Sequence, residues 1–312
     1  MPARRVFPPG WRLTEFPVLL GLVTQSLLSG VTNGLIYALV GFGIAAIFRG
    51  SHVANVMQGE FSVVGAVVVD VLLAELGWPY WAAAIAGCLS GAVLGAIVDV
   101  VFIRRLVQRN APEDSYLLFT IGVSIAISAT VLFLFGRESH LLPPLGTGQV
   151  FIVLDAVLQE HAIWLIAISL LLMGGLRFFY RRTSLGMKMT AASIDPDGAA
   201  TLGIDVRWMR TLTFVVGGLL GAIAGILISP IIPVGYLVGL PLTLKGFSAA
   251  ILGGLTNPLG AVAGGLTIGI IEALVIMEMS SAYKDVVTFS VLILIMIMMP
   301  NGILGRAGRA GG

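Results

Sequence analysis

Apolar residues run along this chain in blocks too long for a soluble core, separated by short polar stretches. A helix crosses the roughly 30 Å hydrocarbon core of a bilayer with about 20 predominantly apolar residues. Runs of that kind occupy residues 17–48, 53–76, 81–103, 115–135, 162–180, 208–232, 242–256, 259–279 and 286–299. The pattern predicts an all-α polytopic membrane protein with about eight or nine transmembrane helices. The first run is about one and a half spans long, and Ser29-Gly30 and Thr32-Asn33-Gly34 offer places to break it into a hairpin. The run 242–256 is short and Asn257-Pro258 cuts it from the next, so it reads as a half-helix or a tight hairpin arm. Short spans interrupted by Gly or Pro point to a transport path. The expected organisation is an N-terminal tail at 1–16, one transmembrane domain at 17–305 and a C-terminal tail at 306–312.

Composition agrees. The chain is 57% hydrophobic and 11% charged, with a mean hydropathy of +1.01. A soluble domain carries about 25% charged residues, so an ordinary soluble enzyme is excluded. The 40 glycines suit helices that approach closely in lipid. A net charge of +2, without a basic patch interleaved with aromatics, gives no reason to expect nucleic acid. Cys88 is the single cysteine, and His52, His140 and His161 stand apart, so no metal site is expected. Neither Lys188 nor Lys245 follows a phosphate-binding glycine loop. No cofactor is therefore expected on this chain, and any ATP must be bound by another.

The distribution of Lys and Arg orients the chain. Arg104, Arg105 and Arg109 mark one cytoplasmic loop, and Arg177, Arg181, Arg182, Lys188, Arg207 and Arg210 mark a second. The segment 136–161 between them holds Arg137 against Glu138, Asp155 and Glu160, and belongs outside. Arg4, Arg5 and Arg12 disagree with an outside N-terminus, so either the first run folds as a hairpin or the rule fails for this tail.

Gly59-Glu60-Phe61-Ser62, followed by Pro79 and a Gly/Ala-rich helix, resembles Lys245-Gly246-Phe247-Ser248, followed by Pro258 and a similar helix. On this topology the two copies run oppositely, which would make an inverted repeat around a central pathway. Ionisable groups inside spans cost about 2.5–3.5 kcal/mol or more, so each needs a partner, water or a purpose. Glu60, Asp70, Asp99 and Glu272 qualify. Asn55 and Gln58 are expected on one helix face with Glu60 pointing elsewhere. Asp99 is close enough to Arg104 or Arg105 to pair one turn on, whereas Glu272 has no basic neighbour at helical spacing. Asn33, Tyr37, Thr120 and Ser124 are neutral polar groups within spans. Together, Asn33, Tyr37, Asn55, Gln58, Glu60, Thr120, Ser124 and Glu272 are the candidate lining of a translocation pathway.

The segment 180–210 is too polar to cross and too regular to be structureless. Asp195 supplies an N-cap, Pro196 the first helical position, and Gly203 a stop. A second amphipathic turn precedes it through Leu185, Met189 and Ala192. An apolar ridge of Ala199, Ala200, Leu202 and Ile204 would dock in the groove of a soluble partner. Only Lys188 is basic between Thr183 and Asp205, a poor match to a helix lying on lipid.

With these residues in view, the chain resembles the permease subunits of ABC importers for branched-chain amino acids, whose relatives carry urea or short amides. The likeness rests on Gly34-Leu35-Ile36-Tyr37-Ala38-Leu39, Ala54-Asn55-Val56-Met57-Gln58-Gly59-Glu60-Phe61, Thr183-Ser184-Leu185-Gly186 and Phe247-Ser248-Ala249-Ala250-Ile251-Leu252-Gly253-Gly254. The ending Pro300-Asn301-Gly302-Ile303-Leu304-Gly305-Arg306 adds to it, while Ala45-Ala46 and Arg49-Gly50-Ser51-His52 depart from the usual family stretch. The resemblance implies a multi-pass subunit of a bacterial or archaeal inner membrane. It implies as partners a second permease subunit, two ATPase subunits and an extracytoplasmic solute-binding protein. It further implies a coupling segment within 183–206 that includes Met187, Asp195, Ala199, Ala200, Leu202, Gly203 and Ile204. An ion-coupled secondary transporter using Glu60 and Glu272 is the alternative from the residues alone.

Overall fold

The computed structural model describes residues 16–109, 111–153, 156–255, 257–278, 283–298 and 302. The tails expected at 1–16 and 306–312, and all of the ending motif except Gly302, therefore lie outside the described residues, Phe16 apart. The elements are α1 (Phe16–Ser51), α2 (Gln58–Ala74), α3 (Tyr80–Ile97), a wide π-helical turn (Val98–Ile103), α4 (Arg104–Gln108) and α5 (Glu113–Phe135). After β1 (Val150–Val153) and β2 (Ala156–Gln159) come α6 (Glu160–Arg182), α7 (Ser184–Ile194), α8 (Pro196–Thr201), α9 (Val206–Ile228), α10 (Gly239–Gly253), α11 (Pro258–Glu278) and α12 (Lys284–Met298).

Among the described residues six helices, α1, α3 with its continuation to Gln108, α5, α6, α9 and α11, are long and apolar enough to cross a bilayer. The α2, α10 and α12 helices, with 17, 15 and 15 residues, are shorter. The α2 helix starts at Gln58 rather than near residue 53, because the chain turns sharply at His52, whose φ is +53°. The α10 helix stops at Gly253, before Gly254 at φ +90°, a conformation that glycine adopts without a Cβ clash.

The first apolar run is one continuous helix of 36 residues, about 54 Å long at 1.5 Å per residue, and not the hairpin that the sequence allowed. Thr32 returns its hydroxyl to the Leu28 carbonyl at 3.0 Å within the helix, and Gly30 and Gly34 serve as contact surface for α11 instead of breaks. One end of α1 meets β2, where the Gln25 amide brackets Val157 (Nε2 to its carbonyl 3.4 Å, Oε1 from its N–H 2.7 Å). At the other end the Arg49 guanidinium lies 5.7 Å from the Tyr180 ring centroid, at the end of α6. The described part of α1 thus crosses once, from the acidic loop to the basic loop.

The two strands are a departure from an all-helical chain. They pair antiparallel with Val150 opposite Gln159 and Val153 opposite Ala156, consistent with the β-branched residues there.

Burial shows what is central. In α1 and α9, 83% and 72% of the apolar span is enclosed, against 17% in α5 and 22% in α6. The α1 helix packs on α10 and α11, and α9 packs on α2 and α3. Both crossings use glycine. On α1, a Cβ added at Gly34 would lie 2.9 Å from the Gly265 carbonyl oxygen, and on α3 one at Gly91 would lie 2.5 Å from that of Gly218. Backbones this close gain van der Waals contact that larger residues would forbid. Gly34→Val is expected to lower stability by about 1–3 kcal/mol, as overpacking does. Gly122→Val, at an open site on α5, is expected to change it by no more than about 0.5 kcal/mol. Thermal unfolding of the two variants in detergent measures the difference.

Candidate functional site

The turn between α1 and α2 delivers a cluster of polar groups into the protein interior. Asn55 precedes α2 and does not share a helical face with Gln58, contrary to expectation, because residues 52–57 are not helical. Its Oδ1 instead accepts the Met57 N–H at 3.1 Å. The Gln58 Nε2 donates to the Gly217 carbonyl of α9 at 2.9 Å, and the Gly59 N–H donates to Thr243 Oγ1 of α10 at 2.7 Å. Glu60 accepts a hydrogen bond from Ser124 Oγ of α5 at 3.0 Å, and Thr120, one turn before, accepts the Val56 N–H at 3.3 Å. Asn55, Gln58, Glu60, Thr120 and Ser124 are all buried. Five of the eight pathway candidates thus meet at the junction of α2, α5, α9 and α10.

The cluster is incompletely satisfied. Asn55 Nδ2, Gln58 Oε1 and Glu60 Oε2 are buried without a hydrogen-bond partner. Unpaired buried polar atoms cost about 1–3 kcal/mol each, which sets this cluster apart from the ion-paired groups of the interior.

Tyr37 and Glu272 form a second centre with a residue that spacing along α11 could not supply. Lys245 Nζ on α10 donates to Glu272 Oε1 at 2.8 Å and to the Tyr37 hydroxyl at 3.2 Å, and pairs with Asp285 Oδ1 at 2.8 Å. The Tyr37 hydroxyl donates to Glu272 Oε2 at 2.6 Å, and Thr288 donates to Oε1 at 3.3 Å. Both carboxylate oxygens are occupied, which leaves Glu272 poorly suited to be an ion-carrier site. Lys245 is the only charged residue of the run 242–256, and the need of an intramembrane cation for an anion was the signal available. Asn33 belongs to neither centre and lines a separate cavity of 190 Å³ with Gln25 and Val157.

Asp99 also finds its partners across space. Arg210 Nε donates to Oδ1 at 2.7 Å and Thr211 Oγ1 to Oδ2 at 2.5 Å, both from α9, while Arg104 reaches Thr211 at 3.1 Å. The expected pairing with Arg104 or Arg105 is replaced because the π-helical turn places Asp99 against α9. Asp70 pairs with His140 Nδ1 at 2.5 Å, fastening the segment 136–148 to α2.

On the basic face, three side-chain caps shape the segment after α6. Thr183 accepts the Gly186 N–H at 3.0 Å, Asp195 the Gly198 N–H at 2.9 Å, and Asp205 the Trp208 N–H at 3.1 Å. Gly203, at φ +77°, ends the turn after α8. The outward ridge differs from the expected one. Ala199 is 3% exposed and packs with Tyr180, Met189, Ala192 and Met209, and Ile204 is half-buried against the same cluster. Ala200 remains outward, and the large exposed apolar residues are Leu202 at 80%, Ile194 at 76%, Met187 at 51% and Leu185 at 38%.

Apolar spans, intramembrane ion pairs and a capped helical segment on the basic face define a multi-pass membrane protein. Residues 26–296 match the family described as branched-chain amino acid transport system, permease component. The chain is 33% identical over 301 residues to the high-affinity branched-chain amino acid transport system permease protein LivH of Escherichia coli, covering 90% of this chain and 95% of that protein. It is 31% identical over 300 residues to the corresponding permease protein BraD of Pseudomonas aeruginosa, with the same coverage. A chain of PsaBC from Streptococcus pneumoniae, solved in complex with Fab, superposes with a TM-score of 0.49 at 15% identity over 95% of this chain and 98% of its own. The chain belongs to the permease family of branched-chain amino acid ABC importers and is a transport subunit.

Removing one member of a buried ion pair strands the other. Lys245→Met is expected to cost about 3–5 kcal/mol, and adding Glu272→Gln to recover part of that loss. Denaturation of the single and double variants in mild detergent reads both effects.

Proposed function

We propose that this chain forms, with a second permease subunit, the passage of an ATP-driven importer for branched-chain aliphatic amino acids. The observation that carries the reading is the 33% identity across 90% of the chain to a permease named for that transport. In this reading an extracytoplasmic solute-binding protein delivers the amino acid. Two ATPase subunits bind the ATP and grip the segment 183–206 through Met187, Ile194, Ala200 and Leu202. The setting is the inner membrane of a bacterium or archaeon, with α2, α10 and α12 as short spans beside the six long ones. The exchange of partners, α1 on α10–α11 and α9 on α2–α3, supports an inverted repeat whose two halves rock about the α1–α9 contact.

The Asn55–Glu60 cluster would be part of the passage, its unpaired atoms hydrated or contacting solute when the helices separate. A neutral zwitterion needs few fixed charges along its way. Two of the acidic groups inside are tied to cations, at Asp99–Arg210 and Lys245–Glu272, which leaves Glu60 without one. ATP-driven closure of the ATPase pair would bias two helix arrangements through α7 and α8.

Proteoliposomes holding this chain with its partner subunits and binding protein are expected to accumulate labelled leucine only with ATP. Uptake without ATP that collapses with the proton gradient would reject the proposal. Ile194→Glu and Leu202→Glu, both on the surface, are expected to keep the protein inserted but to cut ATP-driven uptake more than tenfold, the effect of losing about 1.4 kcal/mol of coupling. Normal uptake by both variants would move the docking site elsewhere.

A further inference from the structure

A cavity of 490 Å³ lies at the basic face between α1, α6, α7 and the start of α11. Its lining includes Arg49, Arg177, Arg181 and His52, and no carboxylate. Among the described residues no acidic group comes within salt-bridge distance of these three arginines, whereas Arg210 and Lys245 are both paired. Arg49 is held over the Tyr180 ring, so its guanidinium is positioned without being neutralised. Deeper in the cavity the wall becomes apolar, with Phe42, Met173 and Leu259. Three guanidiniums on a cavity lined by no carboxylate suit an anion, and a planar guanidinium matches the paired oxygens of a phosphate.

The position selects the source of that phosphate. Basic pockets between helices on the cytoplasmic side lie at the depth of anionic headgroups of the inner leaflet. An apolar wall beneath the arginines suits the start of an acyl chain and has no use for inorganic phosphate. The C-terminal residues 306 and 309 are arginines and carry the wrong sign to fill the cavity.

The geometry points to a binding site for an anionic phospholipid, its phosphate held by Arg49, Arg177 and Arg181 and its proximal chain against Phe42, Met173 and Leu259. Thr190, Ser193 and Ile194 of α7 form another wall, so the lipid joins the docking segment to α1 and α6. His52, where the chain turns towards the Asn55–Glu60 cluster, borders the same space. Occupancy would stiffen the connection between the surface that meets a partner and the helix that carries the buried polar groups.

The binding test stands apart from any transport assay, so its outcome is independent of the transported solute. The assembled transporter, delipidated in detergent, is offered phosphatidylglycerol or phosphatidylcholine with identical chains, and retained lipid is counted by native mass spectrometry. Wild type is expected to retain phosphatidylglycerol preferentially. Each Arg→Gln change at Arg49, Arg177 and Arg181 is expected to weaken retention about fivefold, the effect of removing one cation near an anionic lipid. Arg177→Lys with Arg181→Lys, which keeps the charge and loses the planar fork, should retain more phosphatidylglycerol than the matching Gln changes but less than wild type. Thermal unfolding verifies that the variants are folded, and Arg177→Gln, at an exposed residue, serves if Arg49→Gln is not. Equal retention of the two lipids, undiminished preference in a folded variant, or saturation by inorganic phosphate with no lipid preference would each overturn the proposal.

Discussion

The fold is governed by the cost of a charged or polar group in a medium that cannot solvate it. A charge in the bilayer interior costs about 2.5–3.5 kcal/mol or more, and a chain that keeps such groups must bring their partners from other helices. Asp99 is answered from α9 and Glu272 from α1, α10 and α12. These contacts fasten neighbouring helices to one another at positions where slippage would strand a charge. They specify the arrangement more than they stabilise it, since an apolar replacement of a buried pair is often neutral.

Close backbone approach does the rest. Lipid tails are as apolar as leucine, so helices in a membrane gain little by hiding apolar side chains from them. Glycine at Gly34, Gly265 and Gly269 lets α1 and α11 touch along their backbones, and Gly91, Gly95 and Gly218 do the same for α3 and α9. The outward faces remain apolar, as at Trp81, Ile85, Leu89 and Val93 along α3, where lipid or another subunit covers them.

Helices and their approximate ends were legible in the sequence because an apolar run of about 20 residues, in a chain this poor in charge, matches the thickness of a bilayer and exceeds what a soluble core needs. The caps at Asp195 and Gly203 were legible because a single residue type meets each geometric demand. Partners were not, since Asp99 with Arg210 and Glu272 with Lys245 are separated along the chain and spacing on one helix reports only local neighbours. The same blindness put Ala199 on the outward ridge. Its burial depends on Tyr180 and Met209, from the helices on either side. The continuous α1 helix was obscured because Ser, Thr, Asn and Gly read as breakers in water, whereas in lipid their backbone bonds have no competitor.

Among the described residues, only the Asn55–Glu60 cluster keeps unpaired buried atoms at three side chains of one segment. That separates it from the closed ion pairs, and in the proposed function it is the part of the interior that changes its surroundings. The most direct measurement replaces Cys88 by Ala and Ser124 by Cys, and follows reaction of the new thiol with a membrane-impermeant, charged thiol reagent in the assembled transporter. If the cluster belongs to the passage, the thiol reacts in one nucleotide state and is protected in the other. A thiol that stays unreactive with and without trapped nucleotide would show the cluster to be a permanently dry core, and would contradict the account.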